Sequence, residues 1–127
     1  GERDKEEVRE FLSALPESVR VINTGEKLLL EELKALIARL HLFIAVDTGP
    51  IYIAEAFGVP TVDIVGPMDE NGQPPRGEKH VVVVPPHRKE PMLHIMNARI
   101  YDIAEARRQV ESITPEMVIE AAERMLM

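Results

Sequence analysis

The stretch Phe43-Ile-Ala-Val-Asp-Thr-Gly-Pro-Ile-Tyr-Ile-Ala54 decides the fold. Its first part belongs to an unbroken apolar run over residues 41–46, the pattern of a parallel strand buried on both faces. Asp47-Thr-Gly-Pro50 interrupts the run. Pro50 suits the first turn of a following helix, because its missing N–H would have had no partner there. That helix is short, over about residues 51–57, and is stopped by Gly58 and Pro60. The reading is therefore strand, turn, helix.

The same alternation extends in both directions. Upstream, Leu33, Leu36, Ile37 and Leu40 form a helical stripe, and residues 19–22 read as a short strand closed by Asn23-Thr-Gly25. Before it, Val8, Phe11, Leu12 and Leu15 predict a helix over residues 3–15, ended by Pro16. Downstream, residues 61–65 form a strand ending in Gly66-Pro67. A polar loop over residues 67–79 follows, then a strand over residues 81–84 ended by Pro85-Pro86. From Pro91 the pattern is helical, with Ile100, Ile103 and Ala104 on one face. Thr114-Pro115-Glu116 opens a last helix, Thr as N-cap and Pro at the first helical position. Its apolar face is Val118, Ala121, Ala122 and Met125. Strands alternating with helices predict an α/β fold, a Rossmann-like parallel sheet with flanking helices.

The 127 residues carry an ordinary globular composition, 45% apolar and 29% charged. No apolar run reaches the length of a membrane span, and the charged N-terminus is not a signal peptide. The absence of cysteine excludes disulfides and thiolate metal sites and fits a cytosolic protein. A net charge of −7 argues against a nucleic-acid partner, which would need a basic patch. A small anion is not excluded, since backbone amides at a helix start can hold one.

In an open α/β sheet, ligands bind beyond the carboxyl ends of the strands. Asp47, Thr48 and Gly49 stand at such an end. The free amides of the helix start, the Thr48 hydroxyl and the bare Gly49 backbone make a phosphate cradle. Asp47, itself an anion, suits sugar hydroxyls instead. Taken alone, the tetrapeptide reads first as a well-capped junction, and Gly66-Pro67 is only a turn that would share the same sheet edge. Among other residues, His80, His87 and His94 are spaced by seven, but only His87 and His94 could share a helix face and Pro91 stands between them. They read as solvated loop residues, and no metal site is expected. Met92, Met96, Met117, Met125 and Met127 fit core or helix-packing roles, and Arg107-Arg108 a solvated face.

Residues 47–67, Asp-Thr-Gly-Pro-Ile-Tyr-Ile-Ala-Glu-Ala-Phe-Gly-Val-Pro-Thr-Val-Asp-Ile-Val-Gly-Pro, resemble family 9 glycosyltransferases, which include the ADP-heptose:lipopolysaccharide heptosyltransferases. The family pattern is an apolar strand, Asp-[Ser/Thr]-Gly, a helix with Ala residues, Gly-x-Pro, a strand, and Gly-Pro. Residues 30–39 resemble the helix that precedes it, and the similarity covers most of residues 1 to about 85. The resemblance implies the C-terminal donor domain of a GT-B fold, here in part, with the N-terminal acceptor domain and its catalytic base absent from residues 1–127. It implies a nucleotide-sugar donor, an ADP-sugar, and a glycan or lipid-linked acceptor, without cofactor or metal, in the cytoplasm or at the inner face of its membrane. It assigns donor binding to Asp47, Thr48, Gly49, Pro50, Tyr52, Gly66 and Pro67, with Thr48 and Gly49 on the diphosphate and Asp47 on the sugar. Glu6 falls near the ribose and Leu28 near the base. The sequence departs from the family at Tyr52, where His is frequent, and beyond Pro67.

Two other readings stay open: a nucleotide- or phosphate-binding module that does not catalyse, and an α/β domain without ligand. The Rossmann order 3-2-1-4-5-6 would make the strand at Val19 the third and those at Leu42, Thr61 and Val81 the fourth to sixth. The two central strands would then be missing. Either the Val19 strand closes up beside Leu42, or an apolar edge is left that invites self-association.

Overall fold

The computed structural model describes residues 2–25, 28–72, 74–92 and 102–127. The elements run α1 (Glu2–Ala14), α2 (Leu30–Ile37), β1 (Phe43–Val46), α3 (Gly49–Ala56), β2 (Thr61–Ile64), β3 (His80–Val83), α4 (Ile103–Glu111) and α5 (Pro115–Leu126). The three strands form one parallel sheet in the order β1-β2-β3. The fold is α/β, as the alternation predicts.

Register fixes what each face carries. Phe43, Thr61 and His80 lie abreast, then Ala45, Asp63 and Val82, all on one face because side chains alternate along a strand. Helices α2 and α3 cover that face: Ile37, Ala54 and Val59 form a buried cluster with Leu33, Leu40, Phe43 and Ile53 around it. The opposite face presents Val62 and Val83 to Ala121, Met117, Val118 and Met125 of α5. Helix α5 starts as its sequence requires, with Thr114 Oγ1 accepting from the Met117 amide.

Four sequence expectations are corrected. Residues 19–22 form no strand: Val19, Val21 and Ile22 are exposed, Ile22 at 82%, and no strand lies beside them among the described residues. A β-branched run without a neighbour to complete its ladder is not a strand, whatever its propensity. The sheet therefore does not close up through Val19, and β1 keeps an open edge among the described residues. Helix α4 buries Ala106 and Gln109, while Ile103 and Ala104 face outward. Ile100, His94 and Met96 lie outside the described residues. His80 is a strand residue, half-buried, its Nδ1 2.8 Å from the hydroxyl of buried Thr61. Met127 is fully exposed rather than packed.

Candidate functional site

The carboxyl ends of β1 and β2 lie side by side because the strands are parallel, and both predicted junctions follow directly from them. At the first, Thr48 is the N-cap of α3 with extended backbone, and its side chain makes no capping hydrogen bond. The hydroxyl is thus not spent on the helix. Gly49 opens the helix and Pro50 follows within its first turn. Thr48 and Gly49 are exposed, and a Cβ placed on Gly49 would meet nothing within 4 Å. The α3 start is therefore an open surface at Thr48 and Gly49, at the positive end of the helix dipole; Pro50 has no N–H to offer, and the Ile51 amide donates to the Thr48 carbonyl.

Acids surround it. Asp47 is half-buried, and burial raises its pKa. Asp63, abreast of Ala45 on the neighbouring strand, is 1% exposed, and among the described residues neither carboxylate oxygen has a hydrogen-bond partner. Burial, and then the charge of Asp47, push its pKa up to about 6. The Tyr52 hydroxyl is raised by burial and by Asp47, Asp63 and Glu55. Tyr52 therefore stands within the field of both aspartates, and ionising any one of the three groups opposes the others.

The second junction is held from behind. Val65 donates to Val83, and Met68 donates to Val65, closing a turn around Gly66-Pro67. Gly66 is buried with φ +58, a left-handed backbone that favours glycine, and a Cβ there would meet Val110 at 3.3 Å. Its glycine thus has a packing reason. Arg88, whose side chain is 6% exposed, donates through Nη1 to the carbonyls of Gly66 (3.0 Å) and Met68 (2.9 Å) and pairs through Nη2 with Glu70.

A model of glycosyltransferase family 9 (heptosyltransferase) matches residues 1–99. The chain belongs to glycosyltransferase family 9. The match spans α1 to β3 and takes in both strand-end junctions of the glycosyltransferase sheet. No curated protein and no solved structure matches the chain.

The structure brings Asp47, Thr48, Gly49, Pro50 and Tyr52 together at the start of α3, with Gly66 and Pro67 at the same end of the adjacent strand. It does not gather Glu6 with them: α1 packs extensively against none of the other described elements. Sequence reading missed Asp63 and Arg88. Asp63 carried a signal, a carboxylate inside an otherwise apolar strand. Arg88 carried none, since its partners lie about twenty residues upstream. Among the described residues, no group of three or more His, Asp or Glu is arranged to hold a metal, and no helix is long and apolar enough to cross a membrane.

Proposed function

We propose that this chain is the donor-binding portion of an enzyme that transfers a sugar, heptose from ADP-heptose, to a lipopolysaccharide-type or other glycan acceptor. The family supplies the reaction class, glycosyl transfer. The nucleotide-sugar reading is carried by one observation: the open start of α3, where exposed Thr48 and Gly49 stand beside half-buried Asp47. The diphosphate takes the amides and the Thr48 hydroxyl, and Asp47 accepts from sugar hydroxyls. Pro50 sets the helix start, Tyr52 flanks the donor, and Gly66-Pro67 forms the neighbouring rim. In this reading the acceptor site and the catalytic base belong to an N-terminal domain outside these 127 residues, and the chain alone is inactive. The work is done in the cytoplasm or at the inner face of its membrane.

A second reading is a nucleotide- or phosphate-binding module that does not catalyse. Tyr52, standing where the family frequently has His, favours it, since the chain departs from the catalysing family at a residue within the field of Asp47. Adding back an acceptor domain and assaying transfer separates the two.

Gly49→Val tests the cradle. The position is not left-handed and the space is open, so the fold tolerates the side chain while the ligand loses its approach. Calorimetric titration with ADP-heptose, with UDP-sugars alongside, should show a loss of about tenfold or more. Undiminished affinity in a folded variant removes the assignment.

A further inference from the structure

Arg88 is a nearly buried charged side chain outside the α3 site that makes three hydrogen bonds. It comes from the segment after β3, yet its hydrogen bonds all reach the loop after β2: the carbonyls of Gly66 and Met68, and the carboxylate of Glu70. The loop is also tied by the Met92 amide donating to Pro67, and it rests on Val110 of α4. Three features say what the guanidinium does there. Its charge is balanced by Glu70 and its side chain is almost wholly buried, so it is not held out for a phosphate. One nitrogen bridges two carbonyls two residues apart while a second holds the Glu70 carboxylate, a division of work that a planar guanidinium provides and the single nitrogen of an ammonium does not. Finally, a trans peptide points its N–H opposite to its carbonyl. Holding the Met68 carbonyl toward Arg88 therefore sets the whole peptide plane that leads into residue 69.

We propose that Arg88 is a positioning residue for donor binding: it fixes the Gly66–Glu70 backbone in the conformation that forms the second wall of the site, opposite the start of α3. This rests on the reading of that site as a nucleotide-sugar site. Arg88 touches no donor itself. It acts through the loop.

The test uses the full chain with Arg88→Met and Arg88→Lys, and Thr114→Ala on α5 as a variant weakened on the other face of the sheet. Each is followed by thermal unfolding, by amide hydrogen exchange over residues 65–72, and by titration with ADP-heptose. Arg88→Met should speed exchange in that loop, leave β1 and β2 protected, and weaken ADP-heptose binding about tenfold or more, the scale of losing hydrogen bonds to a charged group. Arg88→Lys, which keeps the charge but has one nitrogen to share among the two carbonyls and Glu70, should fall between Met and the parent chain. Thr114→Ala should lose stability and keep its affinity. Unchanged loop exchange in Arg88→Met overturns the proposal. So does a loosened loop with undiminished affinity, or an affinity loss in Thr114→Ala matching that of Arg88→Met, which would mean that stability alone was being read. If the parent chain binds no nucleotide sugar while the loop still loosens without Arg88, the donor-site reading falls, and the donor role of Arg88 with it.

Discussion

A carboxylate taken out of water without a partner is costly, and the usual escape is to keep its proton. Asp63 is in that position, buried in the middle strand with both oxygens unpartnered among the described residues and with Asp47 nearby. The sign of the consequence follows from linkage. The folded protein holds the proton up to about pH 6, against an ordinary value of 3.8, so between those values the folded state binds more protons than the unfolded one. The contribution is fully present below the lower value and is lost as pH rises through the upper one. Urea unfolding should show stability falling by something on the order of 2–3 kcal/mol across that window. Asp63→Asn should flatten the fall. A parent profile that is level between these pH values would show that Asp63 has found a partner in solution. At this scale the sequence was informative where chemistry is local. Asp47, Thr48, Gly49 and Pro50 form a contiguous strand-to-helix junction, and contiguity is visible in a string of residues. The Arg88 bonds to Gly66 and Met68 cross a strand and a loop and leave no such trace.

The elements that read correctly are those with both an internal period and chemical punctuation. Helix α3 ends where Gly58, with φ +68, and Pro60 require. Helix α5 begins at Thr114-Pro115 and lays Ala121 against Val62 and Val83. Residues 19–22 had punctuation and β-branched side chains but not the other requirement of a strand, a neighbour, and a neighbour is a property of the assembled sheet. The α5 cap gives an element-scale expectation. The Thr114 hydroxyl satisfies the Met117 amide, and α5 is the cover for one face of β2 and β3. Thr114→Ala should therefore cost about 1 kcal/mol, the usual worth of such a cap, with no change in the denaturant dependence, because the surface exposed on unfolding is the same. A loss several times larger would mean that α5 had detached from the sheet rather than frayed at its first turn.

At the scale of the whole molecule, the sheet is covered unevenly. Strand β2 is flanked by β1 and β3 and covered on both faces, whereas β1 has a strand on one side only among the described residues. On the face where α5 protects Val62, the β1 residues Ile44 and Val46 are 47% and 57% exposed. An edge strand that remains single in solution usually carries a lysine, a proline or a bulge, and residues 43–46 are Phe-Ile-Ala-Val with none of these. The strand order of a Rossmann-like sheet gives this sequence a reason, since there the same strand lies in the interior. Whatever neighbours β1 has in the enzyme, the described residues leave its outer edge without a strand partner, flanked by apolar side chains. That combination should drive self-association. Light scattering on the purified chain over a range of concentrations should show mass rising with concentration. Ile44→Lys, which places a charge on the exposed face of β1, should hold the chain monomeric without loss of α5 packing, because Ile44 is outside the α5 cluster. A compact monomer at every concentration, unfolding cooperatively, would show instead that the open side of β1 is closed within the chain itself.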